Sequence, residues 1–213
     1  MFSVMQKKLN LLQKQRVALA RALAADPKVL LLDEPFSSLD ENLRYEMARL
    51  VKRLHQKMGL TVVMVTHDKA EAMKVSDRIA LMKDGEVLQY DKPETMFHHP
   101  VSKPVADYMG QSNYIEGYVK NGQFVSDVVT FKSDKADGAY EFMVRPSMIH
   151  LSKESGKEVQ ISEVLFEGET AEITLCDGQQ QLLVWMLHRD FAALQVEVGT
   201  KIGVKIDSTL GTL

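Results

Sequence analysis

The sequence predicts an α/β domain followed by an all-β domain, and the pattern changes near Gly110. Before that residue, amphipathic helices alternate with short apolar strands, which is typical of a parallel sheet covered by helices. After it, short strands are separated by turn signals such as Asn121-Gly122 and Asp177-Gly178, which favours a small β-barrel or sandwich. The net charge also changes, from +3 over residues 1–110 to −6 over residues 111–213. We therefore expect two domains, residues 1–110 and 111–213.

The helices of the first half are predicted from apolar spacing and from their end signals. Gln13–Ala25 has apolar residues at helical spacing and is stopped by Asp26-Pro27. Asn42–Met58 places its apolar residues on one face and ends at Gly59, a favoured residue after a helix. The shorter helices that we predict are Lys69–Val75, Thr95–His98 and Lys103–Met109.

The strands divide into buried runs and hairpins. Val29–Leu32 and Leu60–Thr66 are almost entirely apolar, which predicts strands buried on both faces of a parallel sheet. Arg78–Met82 and Glu86–Tyr90 flank Lys83-Asp84-Gly85 and are predicted to form a hairpin. The strands expected in the second half are Tyr114–Lys120, Tyr140–Arg145, Val159–Phe166, Glu169–Leu175, Gln181–Met186 and Lys201–Ile206.

Composition excludes several classes of protein. The 213 residues are 45% hydrophobic and carry a net charge of −3, which weakens a nucleic-acid-binding interpretation because that function favours a strongly basic face. No apolar run approaches the roughly 18 residues that span a bilayer. The single cysteine, Cys176, excludes an internal disulfide framework and fits a reducing cytosol.

Glycine is unevenly distributed. All twelve glycines lie at or beyond Gly59. A phosphate-cradling loop requires glycines that let the backbone approach the anion, so none is expected in the first 58 residues. The motif Gly-x-x-x-x-Gly-Lys-Ser/Thr occurs nowhere in the sequence.

The strongest chemical signal is the run Val29-Leu30-Leu31-Leu32-Asp33-Glu34. Four apolar residues lead into two carboxylates, which places the acids at the carboxyl end of a strand, where open α/β sheets bind ligands. One carboxylate can hold Mg²⁺, and the next can orient or deprotonate a water that attacks a phosphoryl group. The alternative is a strand followed by an ordinary acidic turn.

Two further polar residues strengthen the first interpretation. His67 follows the second apolar strand, so a parallel sheet would bring it to the edge that carries Asp33 and Glu34. A histidine there can contact a terminal phosphate or the attacking water. Asp40 follows the carboxylates in the run Ser37-Ser38-Leu39-Asp40. Taken alone, His67 is better explained as a capping residue at a strand-to-helix turn, but its combination with Asp33, Glu34 and Asp40 favours the phosphate-site interpretation.

These motifs together resemble the ATP-binding subunit of ABC transporters. Gln13 to Leu23 is similar to the helix after the signature motif of that family, and Val29–Glu34 to its Walker B strand. Ser38-Leu39-Asp40 is similar to the D-loop, and His67 to the switch histidine. The resemblance extends to the importer type, whose second half is a β-rich TOBE regulatory domain. Within it, Met143–Ser147 resembles a recurring Arg-Pro-Glu element, with Ser147 in place of glutamate.

The resemblance implies a fold and a site. The fold would be part of a P-loop NTPase-type parallel sheet with helices, followed by a small OB-like β-barrel or sandwich. The implied cofactors are ATP and Mg²⁺. Asp33 would help to hold Mg²⁺, Glu34 would be the catalytic base, and His67 would contact the γ-phosphate. Asp40 would communicate across a head-to-tail dimer, and the nucleotide-binding residues would be Asp33, Asp40 and Gln13.

The resemblance also implies partners and a location. The partners would be a second ATPase subunit or a second copy of the chain, the membrane permease subunits of a solute importer, and a separate chain carrying the P-loop. Nucleic acid is not expected. The chain would lie in the cytoplasm, peripheral to the inner face of the cell membrane. Relatives of this type take up polyamines, iron(III), oxyanions, sugars or similar solutes.

Two departures from the family pattern limit this expectation. The P-loop is missing from the sequence, and Leu9-Asn10-Leu11-Leu12-Gln13 stands where relatives have Leu-Ser-Gly-Gly-Gln. Leucine side chains at both glycine positions should obstruct a phosphate. We therefore expect the C-terminal part of an importer ATPase, not competent for ATP hydrolysis alone. The alternative is a non-enzymatic regulatory or assembly module that dimerises or senses a small solute through its β domain.

The remaining polar and aromatic residues are given structural interpretations. Arg145, beside Pro146, is expected to fix a strand end through backbone hydrogen bonds. Trp185 and Cys176 are expected in the core. His98-His99 is expected at a solvated helix end, because a third metal ligand at useful spacing is lacking. The basic residues expected on the solvated face of the helix Asn42–Met58 are Arg44, Arg49, Lys52 and Arg53.

Overall fold

The computed structural model describes residues 11–178 and 180–206. Its contacts divide the chain into two compact units, Met1–Thr95 and Met96–Leu213. The helices are α1 (Leu11–Leu23), α2 (Glu41–Met58), α3 (Lys69–Val75), α4 (Pro93–His98), α5 (Lys103–Met109) and α6 (His188–Leu194). None of these described helices is long and apolar enough to cross a membrane.

Thirteen strands and one 3-10 turn complete the described chain. The strands of the first unit are β1 (Val29–Asp33), β2 (Thr61–Val65), β3 (Ile79–Lys83) and β4 (Glu86–Asp91). Those of the second unit are β5 (Asn113–Lys120), β6 (Gln123–Val125), β7 (Thr130–Lys132), β8 (Gly138–Val144), β9 (Ile149–Ser152), β10 (Lys157–Glu167), β11 (Thr170–Asp177), β12 (Gln180–Leu187) and β13 (Lys201–Ile206). The 3-10 turn is Pro146–Met148.

The centre of the first unit is the parallel pair β1–β2. Val29 lies opposite Thr61, and Asp33 lies opposite Val65. Helices α1 and α2 contribute side chains to one apolar cluster with the strands; its buried members are Leu19, Leu30, Phe36, Leu39, Met47, Ala48, Val51 and Leu60. The parallel strand pairing and the apolar face of α2 are therefore present as predicted from the sequence.

The two central strands are buried on one face only. Leu30 is 5% exposed, whereas Leu31 beside it is 73% exposed. The exposed apolar residues of β1 and β2 are Val29, Leu31, Val63 and Val65, which we call the uncovered sheet face. The prediction of strands buried on both faces is wrong for these residues, because α1 and α2 pack only against the face that carries Leu30.

The turns of the first unit follow their local chemistry. Asp40 caps α2 by accepting a hydrogen bond from the Leu43 N–H, and Gly59 ends that helix with φ 65°. Strands β3 and β4 form the predicted antiparallel hairpin. Asp84 and Gly85 at its tip have φ of 52° and 84°, which is the backbone that a two-residue hairpin turn requires.

The second unit contains two antiparallel sheets around one core. The strand orders are β7-β6-β5-β8 and β12-β11-β10-β13-β9. Both sheets contribute buried side chains to that core, including Phe124, Phe142, Ile161, Ile173 and Val204. All six strands predicted in this half are present, whereas β6, β7, β9 and α6 were not predicted. Closure into an OB-like barrel and the domain boundary after Gly110 stay predictions.

Arg145 is a buried cation in the second unit. The residue is 1% exposed, and its guanidinium carbon lies over the Phe97 ring, 4.3 Å from the ring centroid. Its nitrogens are 2.7 to 3.2 Å from five acceptors, namely the carbonyls of Phe97, Ala106, Gly110 and Gln111 and the Oγ of Ser112. Arg145 therefore fixes the segment that contains α5 to the end of β8, in line with the expected structural role.

Two other residues are less buried than expected. Trp185 is 39% exposed, and its Nε1–H donates to Glu172 Oε2 across the β11–β12 pair at 2.9 Å. Cys176 is partly exposed. Both expectations of a core position are wrong, because these side chains belong to the outward-facing row of their strands.

We predict that Arg145→Met lowers the free energy of unfolding of the second unit by about 3 kcal/mol, because several buried carbonyls lose their donor. Trp185, the only tryptophan, lies in this unit, so urea unfolding followed by its fluorescence measures the change. The control is Arg189→Met, whose side chain is 82% exposed. Equal midpoints for the two variants would contradict a stabilising role for Arg145.

Candidate functional site

The candidate site lies at the carboxyl ends of β1 and β2. The parallel register brings Asp33 opposite Val65, so the segments that follow β1 and β2 leave the sheet at the same edge. The Glu34 N–H then donates to the Val65 carbonyl at 2.9 Å, which extends the strand pairing by one residue. Open α/β sheets bind ligands at this edge.

Glu34 adopts a backbone conformation that is uncommon for a residue other than glycine, with φ 42°. Its carbonyl accepts from Ser37, from the N–H at 3.3 Å and from the Oγ at 3.1 Å. Phe36 and Leu39, which follow, are 1% and 4% exposed and anchor this turn in the core of the unit. Strained backbone of this kind clusters at functional sites.

Glu34 and His67 are in direct contact. His67 Nδ1 lies 3.0 Å from Glu34 Oε1, and the side chains are 72% and 47% exposed, respectively. An ionised carboxylate only accepts hydrogen bonds, so this contact requires the proton on Nδ1. The other ring nitrogen, Nε2, is then the atom with which His67 can contact a ligand. The structure therefore joins the two residues predicted to be catalytic.

The other predicted site residues have different surroundings. Asp33 is exposed at the end of β1. Asp40 uses its carboxylate to cap α2, 3.0 Å from the Leu43 nitrogen. Gln13 is exposed on α1. The same helix donates a hydrogen bond to the turn after Glu34, where Gln15 Nε2 donates to Ser38 Oγ at 3.3 Å.

The altered signature segment is only partly described. Leu9 and Asn10 lie outside the described residues. Leu11 and Leu12 have helical backbone at the start of α1. A helical backbone here agrees with the absence of glycines from this part of the sequence.

A polar network on both sides of His67 was not predicted. Arg44 Nη1 lies 2.7 Å from Asp68 Oδ2, and Thr66 Oγ1 donates to Glu71 Oε2 at 2.8 Å. The expectation that Arg44 lies on a solvated helix face is wrong, because its side chain is only 32% exposed. Its partners are 24 and 27 residues away in the sequence, so helical periodicity gives no sign of them. The spacing of Asp68 and Glu71 by three residues suggests that both carboxylates can meet one cation, but it does not identify Arg44 as that cation.

The pKa of the Asp68 carboxyl group differs from its ordinary value. Burial raises the pKa of its carboxyl group, but hydrogen bonds from the Glu71 N–H, the Arg44 guanidinium and the Ala70 N–H outweigh burial, and the pKa lies below its ordinary value of 3.8. The folded state therefore favours the charged form. Asp68 also caps α3 by accepting from Glu71, so the charge is fixed beside the His67 loop.

The donor set fits the metal-binding side of a Mg²⁺–nucleotide site, but not its phosphate cradle. Among residues 11–178 and 180–206, no group of three or more His, Cys, Asp or Glu side chains could hold a metal. Mg²⁺ usually takes one or two carboxylates together with phosphate oxygens and waters, so Asp33 alone is a sufficient protein ligand. A glycine-rich phosphate loop does not occur in the sequence.

Comparison with known proteins identifies relatives. Residues 4–37 match the family model described as ABC transporter. The chain is 38% identical over 189 residues to the Fe(3+) ions import ATP-binding protein FbpC of Photobacterium profundum, covering 85% of this chain and 54% of that protein. It is 37% identical over 202 residues to the spermidine/putrescine import ATP-binding protein PotA of Borreliella afzelii, covering 92% and 55%.

A third relative is named for a different solute. Over 112 residues, the chain is 46% identical to the sulfate/thiosulfate import ATP-binding protein CysA of Escherichia coli, covering 53% of this chain and 31% of that protein. Over the matched residues, the chain is thus similar in sequence to the ATP-binding subunits of ABC importers. It spans about half the length of the first two of these relatives.

We predict that Asp68→Asn lowers the free energy of unfolding by about 1 kcal/mol at neutral pH, because asparagine still caps α3 but loses the ion pair with Arg44. The pKa of Asp68 is lowered on folding, so its contribution is present above the unfolded value and is lost as the pH falls through the folded value. The difference in the free energy of unfolding between wild type and variant, which we call the gap, should therefore become smaller at acidic pH.

Urea unfolding followed by circular dichroism at neutral and acidic pH measures this gap. Asp84→Asn is the matched control, because Asp84 is an exposed residue in the β3–β4 turn. A gap that stays constant down to the lowest pH would show that the Asp68 charge does not stabilise the fold.

Proposed function

We propose that this chain is the C-terminal portion of the ATP-binding subunit of an ABC importer, and that it takes part in ATP hydrolysis coupled to solute uptake. The observation that carries the proposal is the contact of His67 Nδ1 with Glu34 Oε1 at the carboxyl edge of β1 and β2. It joins a candidate base to a candidate phosphate-contacting group, which is what phosphoryl transfer to water requires.

Each site residue receives a role from its position. Glu34 accepts the proton of the attacking water through its carboxylate. His67 donates from Nδ1 to Glu34 and contacts the γ-phosphate through Nε2, which requires a proton on both ring nitrogens. Asp33 would supply the carboxylate that holds Mg²⁺, an ion that would neutralise charge on the phosphates. Asp40 and Gln13 face the second nucleotide-binding subunit.

The site becomes complete when further polypeptide is added. The uncovered sheet face exposes four large apolar side chains, with fractional exposures from 50% to 73%. Contiguous exposed apolar residues of this kind mark an interface. We propose that a P-loop-bearing segment packs against this face and cradles the phosphates, either elsewhere in the same protein or on a separate chain.

The homology extends the proposal to partners and location. The chain would act with a second ATPase subunit and with the permease subunits of the transporter, at the cytoplasmic side of the cell membrane. Its relatives are named for the import of Fe(3+), spermidine/putrescine and sulfate/thiosulfate. We propose that the transported solute belongs to one of these three chemical classes.

A second candidate function rests on the independent core of the second unit. Its two sheets enclose their own cluster of buried apolar residues. This unit could therefore serve as a non-enzymatic module that dimerises or senses a small solute. Calorimetric binding of spermidine, chelated iron(III) or sulfate to the 213-residue chain without nucleotide would support this candidate function.

We predict that the 213-residue chain alone shows no binding of Mg-ATP in isothermal titration calorimetry, because the sequence contains no phosphate loop.

Co-purification with the P-loop-bearing N-terminal half of a homologous importer ATPase should restore hydrolysis. Glu34→Gln should then reduce turnover by at least about 100-fold, because the general base is lost. The control Glu86→Gln, at an exposed residue of β4, should keep full turnover.

Two results would contradict the main proposal. If the chain alone binds Mg-ATP tightly, and Glu34→Ala or His67→Ala abolishes the binding, then its site is complete without a second segment. If the assembled ATPase loses no activity in Glu34→Gln, the proposed role of Glu34 is wrong.

A further inference from the structure

Arg44 joins three backbone segments around the candidate site. It lies in the first turn of α2, four residues after the capping Asp40. Its Nη2 donates to the Leu39 carbonyl at 3.2 Å, and its Nη1 contacts Asp68 Oδ2 at 2.7 Å. Its Nε lies 3.3 Å from Glu71 Oε1, an ion-pair distance without the angle of a hydrogen bond.

The carboxylates that Arg44 contacts are not solvated side chains. Glu71 is 6% exposed and Asp68 is 24% exposed. A buried carboxylate is costly without a nearby cation, because burial removes its hydration. Arg44 supplies that cation for both residues. A planar guanidinium with several donors suits this arrangement better than a single ammonium group.

The same network fixes both neighbours of His67. Thr66 Oγ1 donates to Glu71 Oε2 at 2.8 Å and accepts from the Asp68 N–H at 3.0 Å. Asp68 Oδ1 in turn accepts from the Glu71 N–H at 3.1 Å. The residues before and after His67 are thus held to α3, and Arg44 joins that assembly to α2.

Arg44 also contacts the turn that carries Glu34. Leu39, whose carbonyl accepts from Arg44, is buried, and its N–H donates to the Phe36 carbonyl at 3.0 Å. Ser37 donates to the Glu34 carbonyl within the same turn. Arg44 therefore bridges the turn that carries Glu34 and the loop that carries His67.

We propose that Arg44 is a positioning residue that holds the His67 ring against the Glu34 carboxylate. The importance of this pair for hydrolysis rests on the proposed function, but the geometry itself does not depend on nucleotide. Removing Arg44 leaves the Glu71 carboxylate buried without its cation, so the loop 66–68 has to rearrange and His67 moves away from Glu34.

The tautomer of the His67 ring reports this contact directly. Long-range ¹⁵N–¹H correlation spectra at alkaline pH, where imidazole is neutral, distinguish a proton on Nδ1 from one on Nε2. The His67 signals are assigned by their loss in His67→Gln. We expect the Nδ1–H form in the wild-type chain, because the carboxylate accepts that proton. In Glu34→Ala, the ring should return to the Nε2–H form that free histidine favours.

The Arg44 variants test the positioning role. Arg44→Gln should shift His67 to the Nε2–H form although Glu34 is still present. Arg44→Lys keeps a positive charge between Asp68 and Glu71, and should recover at least about half of the Nδ1–H population. Arg49→Gln is the matched control on the same helix, because Arg49 stacks on Tyr45 and should leave the His67 spectrum unchanged.

Two results would overturn the inference. One is a wild-type His67 that already carries its proton on Nε2, and the other is an Nδ1–H form that survives in Arg44→Gln. If Arg44→Gln fails to fold by circular dichroism, Asp68→Asn serves as the second variant, since it removes one of the Arg44 contacts and should shift the tautomer in the same direction. Because no nucleotide is added, failure of ATP hydrolysis and failure of this inference are separate outcomes.

Discussion

The parallel register of β1 against β2 is the constraint on which the candidate site depends. Because Asp33 lies opposite Val65, the Glu34 N–H meets the Val65 carbonyl, and the chain leaves both strands at one edge. Two side chains separated by 33 positions in the sequence thereby come within 3.0 Å. A shift of the register by one residue would turn every side chain of a strand to the opposite face and separate the pair.

Two arginines hold irregular segments in this protein, and they do so by different electrostatics. Arg145 is surrounded mainly by carbonyl oxygens, among them that of Ala106 in the last turn of α5, where the helix dipole is negative. Arg44 is paired with two carboxylates, of which that of Glu71 is buried and that of Asp68 is partly buried. Loss of Arg145 therefore leaves neutral groups unpaired, whereas loss of Arg44 leaves charges unpaired, which disturbs the local structure more strongly.

Local signals predicted much of the fold. Lys69–Val75, Lys103–Met109 and Lys201–Ile206 have the predicted bounds to the residue, because capping and turn residues mark their ends. Strands of three residues, such as β6 and β7, are too short to show a period and were missed. The Glu34–His67 pair was predictable because strand ends share an edge. The Arg44 network was not, because it depends on tertiary contacts between distant segments.

The alternation of side chains along β1 connects the uncovered sheet face with the site. Val29, Leu31 and Asp33 occupy alternate positions, and all three are exposed, whereas Leu30 points into the core. The apolar residues that lack a cover and the carboxylate proposed to hold Mg²⁺ therefore lie on the same face. A segment that packs on Val29 and Leu31 therefore also lies close to Asp33, which is the next residue on that face of the strand. Under the proposed function, one packing event would complete both the core of the first unit and its phosphate site.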